Sequence, residues 1–256
     1  MLHVANENEL ERPLNYHQRT EQTLKEEDSQ VAKQLKDVAD YADLNEMKIN
    51  QKKTKLMLFN SSKTNDCQPE FKIDGVEIEV VKQMKLLGVI ITDDLKWHEN
   101  TTNITKKAFS RLWVLRRLKN MGASKATLVD IYNKQIRSVV EYASVVWNAG
   151  LTKDNRNQIE RVQKSAFSVI LGNKYNSYEE ACSELKMKTL VDRRKELALK
   201  FAKKASSHPI HQTWFVKNQE SNTRLKKSTF KPVCGRTERF LKSAIPYLTS
   251  LLNETK

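Results

Sequence analysis

The chain has 256 residues, 39% hydrophobic and 30% charged, with only 6 Gly and 5 Pro, which suits one or two α-rich domains and excludes collagenous, low-complexity and wholly disordered classes. Its 45 Lys and Arg against 31 Asp and Glu leave a net charge of +14, which favours a polyanionic partner such as nucleic acid over an acidic small-molecule substrate. No apolar run approaches membrane-spanning length, the opening MLHVANENELERP lacks the apolar core of a signal peptide, and Cys67, Cys182 and Cys234 are odd in number and far apart, so an intracellular protein without membrane partner, disulfide framework or zinc ribbon is expected.

Residues 1–30 hold three basic and seven acidic residues, are polar and aperiodic, and read as a disordered or extended lead-in; the remainder carries +18. From Val31 the spacing Val31, Leu35, Val38, Leu44 predicts a helix, with Asp28 or Ser29 as its N-cap. TKLMLF (54–59) reads as a short strand. In FKIDGVEIEVV (71–81), Phe71 and Ile73 alternate with polar residues, Asp74-Gly75 offers a tight turn, and Val76, Ile78 and Val80 alternate again, predicting a β-hairpin. KLLGVIIT (85–92) adds another strand to a small antiparallel sheet.

After Trp97 the spacing turns helical: Ile104, Ala108, Leu112, Leu115; then Leu128, Ile131, Val139, Ala143, Val146; then Ile159, Val162, Ala166, Val169. Gly122, Gly150 and Gly172 fall where these helices should stop, so residues 98–171 predict a three-helix bundle. SYEE (177–180) matches a capping box, and Thr189 with Asp192 opens a further helix through Leu197 and Phe201. Residues 206–235 read as an irregular basic loop, and RTERFLKSAIPYLTSLLN as an amphipathic segment interrupted by Pro246. The predicted fold is α+β, mostly α: a small antiparallel sheet, a basic helical bundle and a helical C-terminal extension, divided at 1–30, 31–97, 98–172 and 173–256.

Asp93 and Asp94 follow an apolar run, as metal-binding carboxylates of polymerases and nucleases do. Two-metal transfer needs acids converging from separate strands, and local hydrogen bonding in a turn is the better reading of this pair. DYADLN (40–45) imitates a Tyr-x-Asp-Asp hairpin but has Leu44 at the second acid and lies in a helical context. His208 and His211 straddle a proline and read as a surface loop, not a metal site. The bundle (101–171) carries thirteen basic against four acidic residues, a net +9. Lys106, Lys107, Arg111, Arg116 and Arg117 crowd one helix and can track a phosphate backbone, whereas Trp113 and Trp147 are expected in the core.

The order of a helix, NEMKINQKKTKLMLFN, a hairpin, KLLGVIITDDLKW, AFSRLWVLRRLK and YNKQIRSVVEYASVVWNAGL resembles the downstream part of non-LTR (LINE-like) retrotransposon reverse transcriptases, the end of the palm followed by the thumb. RPLNYHQRT and RTERFLKSAIPYLTSLLN are similar to further segments of such elements. The resemblance implies that NQKKTK (50–55) is motif D, with Lys53 assisting pyrophosphate departure, and that KLLG (85–88) is motif E, where Leu87 and Gly88 allow close approach of the primer end. It places Asp93 and Asp94 in a variable turn and the magnesium-binding acids of motifs A and C upstream of Met1. The Trp usual in the helix before motif D is Tyr41 here. The expectation is thus a truncated RNA-directed DNA polymerase fragment, inactive alone and without a cofactor of its own, that binds a template–primer duplex. An autonomous basic nucleic-acid-binding module is the alternative, followed by a helical protein-interaction domain.

Overall fold

The computed structural model describes residues 30–59, 71–73, 75–218 and 229–254. Among these residues the fold is mostly helical with three two-stranded sheets, an α+β arrangement, and the chain falls into two compact units, Met1–Gln83 and Met84–Lys256. The lead-in (1–29), with RPLNYHQRT and both proposed N-caps, lies outside the described residues.

In the first unit, α1 (Gln30–Leu44) forms as its periodicity predicts. Its apolar stripe is largely open, with Val38, Tyr41 and Leu44 exposed and Ala42 buried. The DYADLN segment is helical up to Leu44, not a hairpin. A 3-10 turn, Gln51–Lys53, is capped by Asn50, whose side chain accepts from the Lys53 amide at 3.1 Å. The predicted hairpin is present as β2 (Lys72–Ile73) and β3 (Val76–Glu77), antiparallel, with Ile73 opposite Val76 and a positive φ of 76° at Gly75 that favours glycine. The chain then continues into β4 (Glu79–Val80), which pairs with β1 (Lys55–Leu56) in parallel, not in one antiparallel sheet; Lys55 lies opposite Glu79 and their side chains form an ion pair.

The second unit opens on a hairpin where a single strand had been expected. KLLGVIIT breaks at Leu87-Gly88 into β5 (Gln83–Leu86) and β6 (Val89–Thr92), and both turn residues have positive φ, 46° and 88°. That two-residue pair matches the right-handed twist of hairpin strands and favours Asn-Gly, so Leu87 is held where a side chain is disfavoured. Val89 reaches the core, and the Ile90 amide donates to Asn100 Oδ1 at 3.1 Å, tying the hairpin to the start of α2 (His98–Asn120).

α2 packs along α6 (Lys153–Leu171). Between them the predicted continuous helix is broken: α3 (Lys125–Ile131) passes into a π segment (Tyr132–Arg137), α4 (Ser138–Glu141) and, after a left-handed Ala143 (φ 49°), α5 (Ser144–Trp147). Leu128, Tyr132, Ile136 and Val140 are all buried, a strict four-residue repeat. On an α-helix such a repeat drifts by about 40° per step. The wider π turn returns those side chains to one face. The carbonyl of Tyr142 at the break accepts from Trp147 Nε1 at 3.0 Å.

Four of the predicted caps hold, whereas Gly150 lies three residues beyond the end of α5, whose C-cap is Asn148, and does not take positive φ. Gly122 and Gly172 take positive φ just beyond α2 and α6, Ser177 accepts from the Glu180 amide to open α7 (Tyr178–Glu184), and Thr189 accepts from the Asp192 amide to open α8 (Leu190–Ser207). Leu190 belongs to the main core, while Ala198, Ala202 and Ala205 join Phe215, Phe230, Leu248, Leu251 and Leu252 in a second cluster. The basic loop is more regular than expected: Pro209–Trp214 is a 3-10 turn and Lys217 bridges Phe230, with 219–228 outside the described residues. The last segment breaks at Lys242-Ser243, between α9 (Glu238–Leu241) and α10 (Ala244–Glu254). Pro246 sits in the first turn of α10, where no intrahelical partner for an amide exists, so it does not interrupt the helix.

Candidate nucleic-acid interface

α2 positions the cationic residues singled out in the sequence, and its periodicity sorts them. Ile104, Ala108, Leu112 and Leu115 face the core. Opposite them, Lys106, Phe109, Trp113, Arg116 and Arg117 follow one another at three- and four-residue spacing and therefore share a face. Trp113 is 57% exposed, which corrects the expectation of a core position; Trp147, at 0%, is in the core as expected. Phe109 is 38% exposed. A large aromatic held open among cations was missed because its spacing relative to Leu112 and Leu115 does not by itself say which flank of the apolar stripe is covered.

Lys107 and Arg111 leave this face. Arg111 Nη1 donates to the carbonyl of Gln135 at 2.6 Å, fastening α2 to the π segment, so this nitrogen is already engaged within the protein. Lys119, not singled out from the sequence, turns inward: its Nζ donates to the last carbonyls of α6, Val169 at 2.6 Å and Ile170 at 3.0 Å. α2 thus carries six basic residues and one acid, Glu99, with Lys106, Arg116 and Arg117 on the aromatic face.

The other nominated residues belong to other elements. Lys53 ends the exposed 3-10 turn of the first unit. Leu87 is 84% exposed at the tip of its hairpin, and its carbonyl accepts from Tyr142 Oη at 2.9 Å. A side chain at Gly88 would stand 3.2 Å from the Tyr142 ring, so the close approach that glycine permits here is to that ring. Asp94 belongs to a turn: its Oδ1 accepts from Thr92 Oγ1 at 2.8 Å and from the Lys96 amide at 3.0 Å, and Lys96 Nζ lies 2.9 Å from Oδ2. Partial burial raises its pKa, but the bonds from Lys96 and Thr92 outweigh this and bring the carboxyl down to about 2. Among the described residues no group of three or more His, Cys, Asp or Glu is placed to hold a metal ion. The His208 and His211 rings meet at a tilt of 36°, centroids 5.3 Å apart, and His211 meets Trp214 at a tilt of 33°, centroids 4.3 Å apart.

Behind the bundle runs a buried polar network that composition did not reveal. Tyr132 Oη donates to Gln163 at 2.6 Å; Gln163 donates to Tyr178 Oη at 2.8 Å; Tyr178 donates to Glu160, which also accepts from the Val191 amide at 2.7 Å in the first turn of α8. Arg194, fully buried, lies 3.8 Å from Glu160 and donates from Nε to Asn148 at 3.0 Å. Burial, reinforced by the Glu160 carboxylate, pushes the Tyr178 phenol up, and burial does the same for Tyr132, so both remain neutral donors.

No family model matches the chain, and neither a curated protein nor a solved structure matches it significantly. No helix among the described residues is long and apolar enough to cross a membrane.

Proposed function

We propose that the chain is the downstream, nucleic-acid-binding part of an RNA-directed DNA polymerase of the non-LTR retrotransposon type, with α2 as the surface that meets a template–primer. The observation that carries the reading is the open face of α2, where Lys106, Arg116 and Arg117 stand beside Trp113 and Phe109. A cationic helix face gains affinity for a phosphate backbone by releasing counterions, and the net charge of +14 adds long-range attraction. In such a polymerase the magnesium ions belong to the acids of motifs A and C, so this chain binds without extending.

Anisotropy titrations with labelled nucleic acid across a salt series test the reading. Affinity should fall steeply with salt, and neutralising Lys106, Arg116 and Arg117 to Gln should reduce the log–log slope by about 2 to 3. An unchanged slope and affinity sink it. Primer-extension assays with magnesium or manganese should give no product; incorporation abolished by Asp93→Asn would overturn the proposed inactivity.

An autonomous basic nucleic-acid-binding module would use the same face. Mapping the 5′ end of the native transcript separates the two: an upstream frame carrying the motif A and C acids supports the polymerase, and one that stops before them supports the module.

A further inference from the structure

We infer that the open face of α2 takes unpaired nucleotides, stacking bases on Trp113 and Phe109 while Lys106, Arg116 and Arg117 hold the phosphates. The inference rests on the nucleic-acid reading above and names the class of substrate for that surface.

Cations alone would serve a duplex, whose bases are already stacked on one another and present phosphates to a protein. Exposed rings are a different matter. Trp113 is 57% and Phe109 38% exposed, although the Leu112 and Leu115 side chains beside them are fully buried. An aromatic ring left in water is a favourable surface for the π-face of any unpaired base, and such stacking is indifferent to sequence. Geometry fits the same occupant. Phe109 and Trp113 are one helical turn apart on the same side, flanked by Lys106 before them and by Arg116 and Arg117 after. Lys106 to Arg117 spans about 16 Å along the axis, so the cations bracket the two rings at both ends of this stretch. Glu99, the one acid of α2, lies near its first turn, before this stretch.

The test uses the full chain and labelled single strands of about 12 nucleotides, oligo(dT) and oligo(U), against a blunt duplex of equal length. Trp113→Ala should weaken single-strand binding about ten-fold and change duplex binding less than about two-fold, whereas Trp113→Phe, which keeps a π-face, should restore most of the loss. Gln at Lys106, Arg116 and Arg117 should weaken both. Circular dichroism melts of each variant exclude unfolding as the cause. Single-strand affinity unchanged in Trp113→Ala, or single-strand and duplex affinities lost equally, overturns the stacking inference while a response to the charge variant leaves the nucleic-acid reading standing. Absence of binding to every probe overturns both.

Discussion

Asp94 shows what a carboxylate beside a strand is doing here. Three hydrogen-bonding partners, Thr92 Oγ1, the Lys96 amide and Lys96 Nζ, converge on it, and the turn they make starts the approach to α2. Its folded pKa, about 2, lies below the ordinary 3.8, so the ionised form stabilises the fold. That contribution is complete above about pH 4 and is lost as pH falls through 2. A carbon-detected NMR titration of the Asp94 carboxyl should therefore give a midpoint near 2. A midpoint at the ordinary value would show that the turn does not hold the charge. Leu87 is the opposite kind of residue, an 84% exposed apolar side chain at φ 46°. Because only its backbone carbonyl bonds to Tyr142, Leu87→Asn should keep that contact and relieve the left-handed strain, raising stability by about 1 kcal/mol in thermal melts. A lowered melting temperature would mean that the leucine side chain contributes something the turn geometry hides.

At the scale of elements, termini were legible and interiors less so. Ser177, Thr189 and the glycines beyond α2 and α6 act locally, through the side chain or φ of one residue, and each was readable where it stood. Thr189→Ala removes the acceptor for the Asp192 amide and should cost about 1 kcal/mol in urea unfolding; a loss near zero would show that Glu160 caps α8 sufficiently alone. The π segment was written in the sequence as well, as the four-residue repeat Leu128, Tyr132, Ile136, Val140. A search tuned to 3.6-residue spacing fits Leu128, Ile131 and Val139 just as well and passes over it. The hairpin at Leu87-Gly88 escaped for a related reason: Leu is not a residue that normally marks a positive-φ turn, so LLGV reads as uninterrupted strand.

The second unit is held as a whole by two apolar clusters and by the polar chain Tyr132, Gln163, Tyr178, Glu160, Arg194, Asn148. α8 belongs to both clusters, and Glu160 of α6 is the point where its first turn and its buried arginine are held together. Glu160→Ala leaves the Arg194 charge buried without its nearest carboxylate and should cost about 3 kcal/mol or more in urea unfolding, against a loss below about 1 kcal/mol if the pair is dispensable. Among the nominated binding residues, the tertiary structure keeps Lys106, Arg116 and Arg117 on one face, engages Arg111 internally and sets Lys107 aside. By itself the sequence determined the α+β class, the caps at Gly122, Gly172, Ser177 and Thr189, the β2–β3 hairpin and the positive field of the body, because periodicity, capping chemistry and charge are properties of neighbouring residues. Only the tertiary structure decided that Trp113 is open, that Lys119 and Arg111 serve the fold, and that Glu160 and Arg194 meet. Those outcomes depend on which helix flank is covered and on partners up to 51 residues away, as Lys119 and Ile170 are. No local pattern carries that information.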